Sequence, residues 1–203
     1  NNGFTFNTGV EWYINDTSTL TTSVVLRNGD NESESRNAIF ELDQNGTVIN
    51  ELLRLNPERE DDKTFQYSVN YDKQFGDNSQ HRLTLDFQYE SSAEDEFAII
   101  TQDGDDSERV QTLENQDRVL LQGDYVLPIG ENSQFEAGYR GNFNVQDTDY
   151  TLEFNENGEY VLDTDLSNNL IYTEHVNAFY TQFGSKIKDK FSYLLGLRLE
   201  ETR

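Results

Sequence analysis

Three glycine-containing dipeptides at nearly equal intervals constrain the fold of this chain more than any other feature. They are Asn45-Gly46, Asp103-Gly104 and Asn157-Gly158. Each stands between two long runs of residues that favour an extended backbone. Asn-Gly and Asp-Gly favour the tight turn of a β-hairpin, because both central residues of that turn need a positive φ angle. The sequence therefore predicts three long hairpins.

Short polar turns alternate with these dipeptides. They lie at Asn15-Asp16-Thr17-Ser18, Gly76-Asp77-Asn78-Ser79, Gly130-Glu131-Asn132-Ser133 and Lys188-Asp189. The chain is therefore predicted to be all-β, a single antiparallel up-and-down meander with short turns at one end and long arms at the other. This asymmetry is typical of an outer-membrane transmembrane β-barrel, in which short turns face one side of the membrane and long loops face the other.

Apolar and polar residues alternate along every predicted strand. On the first strand, Phe4, Phe6 and Val10 share one face, whereas Thr5 and Asn7 share the other. The same phase returns in the runs 20–26, 65–71, 83–89, 119–129, 135–145 and 191–199. The polar positions carry charges that cannot all face lipid, so this face is predicted to line a wet lumen.

The predicted arms are too long to lie within a membrane. From Ser18 to Asn45 an extended strand would reach roughly 90 Å, whereas the apolar band of such a barrel is only about 25 Å tall. We therefore expect the outer portions of the arms to form extracellular hairpins with primed turns. These portions are Ala38–Leu55, Phe97–Leu113 and Tyr150–Leu162.

Composition agrees with a barrel wall and excludes several other classes of protein. Hydrophobic residues make up 34% of the chain and its mean hydropathy is −0.81, as expected where only every second residue of a membrane-crossing strand is apolar. No run approaches the ~20 apolar residues of a transmembrane helix. The net charge of −24 argues against nucleic-acid binding, and the absence of cysteine excludes disulfides and thiolate sites.

Two neighbouring segments carry a family resemblance. Residues Tyr172–Tyr180 (YTEHVNAFY) and Leu195–Thr202 (LGLRLEET) resemble consecutive strands in the barrel domain of TonB-dependent outer-membrane receptors, and more narrowly the outer-membrane β-barrel family common in Bacteroidota. The match spans Tyr172 to Thr202, about a sixth of the chain. It implies nutrient uptake across a bacterial outer membrane, contact with outer-membrane lipid, coupling to a TonB-type complex, and possible contact with a surface lipoprotein.

The chain departs from that family in ways that shape the domain prediction. It contains no recognisable plug domain, TonB-contacting box or signal peptide, and no terminal strand ending in an aromatic residue. Receptors of this kind have about 22 strands, whereas about eight membrane-crossing strands are predicted here. Residues 1–203 are therefore expected to form a single segment of a larger barrel, with the plug and the C-terminal strands absent.

Few residues suggest chemistry. Arg198 and Glu200 share the polar face of the last strand, where a lumenal charge pair is favoured over a binding site. His81 lies near Ser79 and Asp77 in a short turn, but such a turn neither excludes water nor forms an oxyanion hole, and His175 is distant in sequence. No catalytic, cofactor-binding or metal-binding residue is assigned, and the chain is not expected to be an enzyme.

Two further groups of residues resemble functional sites but have simpler interpretations. Acidic residues near the second arm favour a solvated loop over a Ca²⁺ site, because their spacing does not fit an EF-hand. They are Glu94, Asp95, Glu96, Asp103, Asp105 and Asp106. Aromatic residues near the short turns are predicted to form an interfacial girdle, with a sandwich core as the alternative. They are Trp12, Tyr13, Tyr71, Phe75, Tyr125, Phe183 and Tyr193.

Three alternatives stay open at this point. A complete eight-stranded outer-membrane barrel with a structural or adhesive role predicts that the first strand pairs with the last. A soluble, secreted β-sandwich that binds carbohydrate or another surface predicts that the aromatic residues pack between two sheets. A barrel enzyme requires a convergent catalytic group, which is not found.

Overall fold

The structure is a computed structural model that describes residues 2–76 and 79–203, with Asp189 described by its backbone alone. The predictions that involve Asn1, Asp77 and Asn78 lie outside these residues. Within them, the chain forms one antiparallel sheet whose strands follow one another in space as they do in sequence.

The sheet contains eight long strands and one short one. The strands are β1 (Asn2–Asn15), β2 (Ser18–Leu42), β3 (Val48–Gln74), β4 (Arg82–Gln102), β5 (Asp105–Ile129), β6 (Ser133–Glu156), β7 (Glu159–Leu162), β8 (Asn168–Ile187) and β9 (Phe191–Thr202). A 3₁₀ turn, Lys188–Lys190, joins β8 to β9. The predicted up-and-down order of eight long strands is confirmed. The short β7 pairs with the outer end of β6, and β8 pairs with the rest of that strand.

The pairing registers place the predicted apolar positions on one face of the sheet. One continuous row is Leu20, Tyr71, Leu85, Gly123, Tyr139, Phe179 and Leu199. Directly paired residues share a face, and a slip of one residue would move every side chain of a strand to the other face. The in-register pairing of all eight long strands therefore confirms the predicted two-sided wall.

Two of the three predicted primed turns are confirmed. Asp103 and Asn157 have φ angles of 54° and 59°, and the glycine that follows each has a φ of 96°. These are the two consecutive positive values that a type I′ turn requires.

The prediction of a primed turn at Asn45-Gly46 was wrong. There only Gly46 has a positive φ, and the loop closes between Leu42 and Val48. Asp43 reshapes it, because one carboxylate oxygen accepts hydrogen bonds from the amides of Thr47 and Asn45, each at 2.8 Å. These bonds hold the pKa of the Asp43 carboxyl below its usual value.

The described strands form a single layer without a second sheet packed against it. Extensive contacts join only neighbouring strands, and the buried apolar residues are Ala98, Ile100, Leu152 and Ala178. Large apolar side chains such as Trp12, Phe179 and Leu195 are 62%, 59% and 66% exposed. The β-sandwich alternative was therefore wrong, because it needs these side chains inside a core.

The sheet is open in the described part of the chain. β1 pairs only with β2, and β9 pairs only with β8. The pairing of the first strand with the last, which a closed eight-stranded barrel predicts, is not observed between these residues. No helix in the described ranges is long and apolar enough to cross a membrane.

Candidate functional site

The apolar face forms a belt of the height that a bilayer requires. Along 119–129 of β5 the apolar side chains continue for roughly 36 Å at about 3.3 Å per residue. A strand tilt of about 45° reduces this length to a height of about 25 Å, which matches the apolar band of a membrane barrel. Beyond Val119 the same face carries Asp117 and Asn115, and these residues pair with Ser91 and Ala93 on β4. The belt therefore ends where the outer arms begin.

An aromatic cluster marks the lower edge of the belt, beside the short turns. The ring of His81 lies 4.7 Å from that of Phe75 and 5.6 Å from that of Tyr125. His81 Nε2 and the Tyr125 hydroxyl are hydrogen-bonded at 2.8 Å. Farther along this rim, Tyr193 contacts Phe183 and Phe191. Of the seven predicted girdle residues, Phe75, Tyr125, Phe183 and Tyr193 lie in these contacts at the rim, as an interfacial girdle requires.

One member of the predicted girdle points the other way. Tyr13 pairs with Thr19 on the polar face, where its hydroxyl donates a 2.8 Å hydrogen bond to Glu11. Trp12, one residue earlier, stands on the apolar face opposite Leu20. Consecutive residues of a strand point to opposite faces. Tyr13 therefore belongs to the polar face and not to the girdle, although it lies close to the turn.

A second aromatic cluster, which the sequence analysis missed, marks the upper edge of the belt. Phe65 and Tyr89 have ring centroids 6.3 Å apart, as do Tyr67 and Phe87. The Tyr89 hydroxyl donates a 2.7 Å hydrogen bond to Asp117. Aromatic girdles occur at both interfaces of a membrane barrel. The alternating run 65–71 was recognised, but its distance from a short turn hid this role.

The polar face carries a network of hydrogen bonds in its lower half. The Tyr180 hydroxyl on β8 donates to the Asp124 carboxylate on β5, and its ring lies across Gly138 on the intervening β6. A Cβ atom added at Gly138 would clash with the Tyr180 ring. The glycine is therefore the residue that allows this bond between nonadjacent strands to form.

Arg198 and Glu200 lie beside that network. Two nitrogens of the Arg198 guanidinium donate to one oxygen of Glu200, at 2.6 and 3.1 Å, and the guanidinium stands 6.0 Å from the centre of the Tyr180 ring. Both side chains are about half exposed. The predicted lumenal charge pair is thus present in the described geometry, on the polar face.

Higher on the same face, a polar row crosses four strands. It consists of Glu90, Arg118, Asn144 and Glu174, which pair in that order from β4 to β8. Arg118 Nη1 lies 3.7 Å from Glu90 Oε1. Asn144 is only 8% exposed and its side-chain oxygen accepts no hydrogen bond from the described residues. The polar groups of this row lie at a height where the opposite, apolar face of the wall meets lipid.

The two histidines do not form a catalytic group in the described structure. His81 belongs to the lower aromatic cluster, whereas His175 lies on β8, where its ring packs edge-on against Phe143 at 5.5 Å. Both are on the apolar face. Asp77, the acidic residue of the candidate turn, lies outside the described residues.

Acidic residues gather on the polar face of the arms, above the belt. Burial, followed by repulsion from Glu60, Glu114 and Asp62, raises the pKa of the Glu94 carboxyl. The pKa of Glu96 is raised by burial and then by Glu58. Repulsion of this kind favours the protonated form of a carboxylate.

The candidate calcium ligands are divided between different positions. Asp95 faces away from Glu94 and Glu96 and accepts a 2.9 Å hydrogen bond from Gln111. Asp103 accepts a 2.8 Å bond from the Leu53 amide. Across 2–76 and 79–203, no group of three or more His, Cys, Asp and Glu residues is placed to hold a metal ion.

Two ion pairs tie the arms together. Arg54 on β3 makes two parallel bonds to Glu108 on β5, at 2.6 and 2.9 Å, across the intervening β4. Arg109 pairs with Glu153 on β6, and its guanidinium stands 4.5 Å from the centre of the Tyr160 ring. The long arms therefore continue the sheet as cross-linked extensions of the wall.

Comparison with known proteins agrees with this two-faced wall. The profile of the outer membrane protein beta-barrel family matches residues 73–203. No curated protein matches the chain. The matched region runs from the end of β3 through β9 and includes both the lower girdle and the Tyr180–Asp124 network.

Proposed function

Because this chain belongs to the outer membrane protein beta-barrel family, we propose that it forms part of the wall and extracellular loops of a TonB-dependent nutrient transporter. Membership of the family also means that its place is the bacterial outer membrane. The finer parts of this proposal, TonB dependence and an origin in Bacteroidota, rest on the resemblance of the strands at 172–180 and 195–202. The outer-membrane barrel itself rests on the family match.

The observation that carries the proposal is the polar wall behind the lipid-facing belt. Glu90, Arg118 and Asn144 stand at the same level as apolar residues of the opposite face. Charged groups at membrane depth are tolerated where they line a water-filled cavity. A wall of this kind supports a polar lumen that contains water, solute or polar protein.

The open sheet supports a barrel larger than eight strands. In hydrocarbon, an unpaired strand edge leaves N–H and C=O groups without hydrogen-bond partners, so only closed barrels are stable there. β1 and β9 each have one free edge among the described residues. We propose that further strands of the parent protein pair with these edges.

The arms support a role in capture at the cell surface. β2 and β3 run over 25 and 27 residues, whereas a membrane strand needs about 9–11. The parent protein would gather solute between such arms, release it inward with energy from a TonB-type complex, and meet a surface lipoprotein at the arms. The wall itself performs no catalysis in this proposal.

Uptake in living cells tests the proposal. The gene of the parent protein is deleted, and uptake of a ferric chelate, cobalamin and a malto-oligosaccharide is measured with and without a protonophore. We expect uptake of one probe class to require both the gene and the proton gradient. Unchanged uptake of every probe would contradict a nutrient transporter. Gene-dependent uptake that resists the protonophore would indicate a passive barrel and contradict TonB coupling.

A further inference from the structure

We propose that the lipid-facing side of the wall binds one phospholipid of the inner leaflet, with its phosphate at Lys73 and one acyl chain in a groove above Gly123. The site requires only the membrane location of the barrel, so it stands or falls independently of solute transport. Three observations carry it: an apolar groove, a cation at its foot, and the distance between them.

The groove lies in the lower half of the apolar belt. It has a volume of about 570 Å³, and its lining includes Tyr71, Leu85, Phe87, Leu121, Gly123 and Tyr139. Gly123 leaves a gap between the larger side chains of its row, Leu85 on one side and Tyr139 on the other. Since this face meets hydrocarbon, the material that fills the groove is an acyl chain.

Lys73 stands at the foot of the groove, one row below Tyr71 on the same face. Its ammonium group donates hydrogen bonds to the hydroxyls of Thr17 and Ser18, at 2.8 and 2.9 Å. An ammonium group has three donors, so one N–H remains for a further acceptor. Within the described residues, Lys73 forms no ion pair with a carboxylate. Among these residues its charge therefore has no carboxylate partner, and an acceptor from the lipid fits there.

The position of the Lys73 ammonium group indicates that it binds the phosphate of a lipid headgroup. Lys73 pairs with Ser18, which directly follows the turn that ends β1, so the ammonium group lies at the rim where lipid phosphates begin. Lysine side chains near a membrane interface extend their charge toward the headgroups. A phosphate of an anionic phospholipid supplies both the charge and the acceptor that Lys73 lacks.

The separation of the two features fits one lipid molecule. Gly123 is one row above Lys73 and two strands away, which corresponds to about 12 Å from the spacings of residues and strands. One leaflet contributes about 15 Å of hydrocarbon. An acyl chain that starts from a phosphate at Lys73 therefore reaches the groove.

Photolabelling tests the site directly. The full-length parent protein is folded in detergent micelles and exposed to phosphatidylglycerol that carries a photoactivatable diazirine in one acyl chain, and labelled peptides are identified by mass spectrometry. We expect the label to concentrate on the peptides that contain Tyr71, Leu85 and Tyr139. Uniform labelling around the belt, or none, would overturn the proposal.

Matched variants separate the headgroup contact from the groove. Lys73→Gln should reduce labelling about fivefold, since one basic residue at a charged membrane surface contributes about 1 kcal/mol. Lys188→Gln removes a cation from the same rim, away from the groove, and should change nothing. Lys73→Arg should retain labelling. Equal effects of the Lys73→Gln and Lys188→Gln variants, or loss in the Lys73→Arg variant, would refute the headgroup contact.

Filling the groove tests the acyl chain. Gly123→Leu places a side chain where an added Cβ already meets Leu85 Cδ2 at 3.1 Å, and it should shift the label away from the three peptides. The shift of the folded band on an unheated gel confirms that each variant is folded. If the folded Gly123→Leu variant keeps the wild-type labelling pattern, the acyl chain does not lie in this groove.

Discussion

Tyr180 donates a hydrogen bond to Asp124 across an intervening strand, over the bare backbone of Gly138. Replacing Gly138 by alanine should displace the Tyr180 ring, break this bond and destabilise the barrel by about 1–3 kcal/mol, the usual cost of overpacking. Urea unfolding of the protein in lipid vesicles, followed by its fluorescence, measures the change.

Gly196→Ala is the control for this prediction. It also adds a methyl group to the polar face, but there the nearest atoms to an added Cβ are 3.6 and 3.8 Å away. This variant should lie close to the wild type. Equal stability of the two variants would show that the Tyr180 ring adapts without cost.

Arginine substitutions on the two faces of β4 test which face of the sheet contacts lipid. Leu85→Arg introduces a cation on the lipid-facing side and should cost about 2–4 kcal/mol, as charges near the middle of a membrane barrel do. Gln88→Arg places the same side chain on the polar face, between Ser68 and Leu120, and should cost little. Folding efficiency into vesicles checks both variants. A larger loss for the Gln88→Arg variant would reverse the assignment of the faces.

Engineered cysteines test whether the barrel closes after eight strands. Residues 1–203 contain no native cysteine, so a disulfide between peptides of this segment joins an introduced pair. Cysteines at Thr8 or Val10 of β1, combined with cysteines at Leu195 or Leu197 of β9, should remain unlinked in the full-length protein in outer membranes. Bridged peptides detected by mass spectrometry would establish the eight-stranded alternative.

A cysteine pair within one hairpin is the positive control for closure. Thr8 and Val24 are direct partners in the pairing of β1 with β2. Opposed residues of antiparallel strands have Cα atoms about 4.5–5.5 Å apart, within the range that a disulfide spans. This pair should therefore cross-link under the same oxidising conditions.

The ion pair between Arg54 and Glu108 should stabilise the second arm against local unfolding. Arg54→Lys keeps the charge but loses the parallel bonds at 2.6 and 2.9 Å, and should lower the free energy of arm opening by about 1 kcal/mol. Hydrogen exchange of the amides at 99–110 measures this change. Arg59→Lys affects a more exposed pair at 3.4 Å and should have almost no effect. Similar exchange in the two variants would remove this role from Arg54.

Lowering the pH should stabilise the second arm against local unfolding, because Glu94 becomes protonated. Its folded-state pKa is raised above the ordinary value of 4.5, so the folded arm binds more protons than the unfolded arm, and its stability falls as pH rises through that raised pKa. Glu94→Gln should slow hydrogen exchange in this arm at neutral pH and weaken its dependence on pH, after correction for intrinsic exchange rates. A faster-exchanging variant would contradict the repulsion.

A glutamate on the first arm provides the comparison. Glu51 lies opposite Phe40, without a carboxylate facing it across the strand pair. Glu51→Gln should leave both the exchange rate and its pH dependence close to those of the wild type. Equal responses in the two variants would assign the effect to net charge rather than to the local cluster.

The faces and the order of the strands could be predicted from sequence because they follow from local rules. Alternation assigns Tyr71, Leu85 and Tyr139 to one face without any knowledge of the partner strands. The left-handed preference of Asp103-Gly104 fixes its turn in the same local manner. The polar positions of Arg198 and Glu200 follow by the same alternation.

Other features depended on atoms that the sequence does not place side by side. Asp43 reshapes the tip at Asn45-Gly46 through bonds to the amides of Asn45 and Thr47. The upper aromatic cluster requires the register that brings Phe65 near Tyr89. Side-chain hydrogen bonds and ring contacts of this kind depend on distance and direction, which residue spacing along one strand does not specify.

By itself, the sequence determined a two-faced antiparallel wall with short turns at one rim and long arms at the other, because alternation and turn chemistry act over a few residues. Only the tertiary structure decided which residues meet across strands: Tyr180 over Gly138, Arg54 with Glu108, and the groove above Gly123 near Lys73. The physical reason is that pairing register converts positions in separate segments into distances of a few ångströms. Packing and hydrogen bonding act only at such distances.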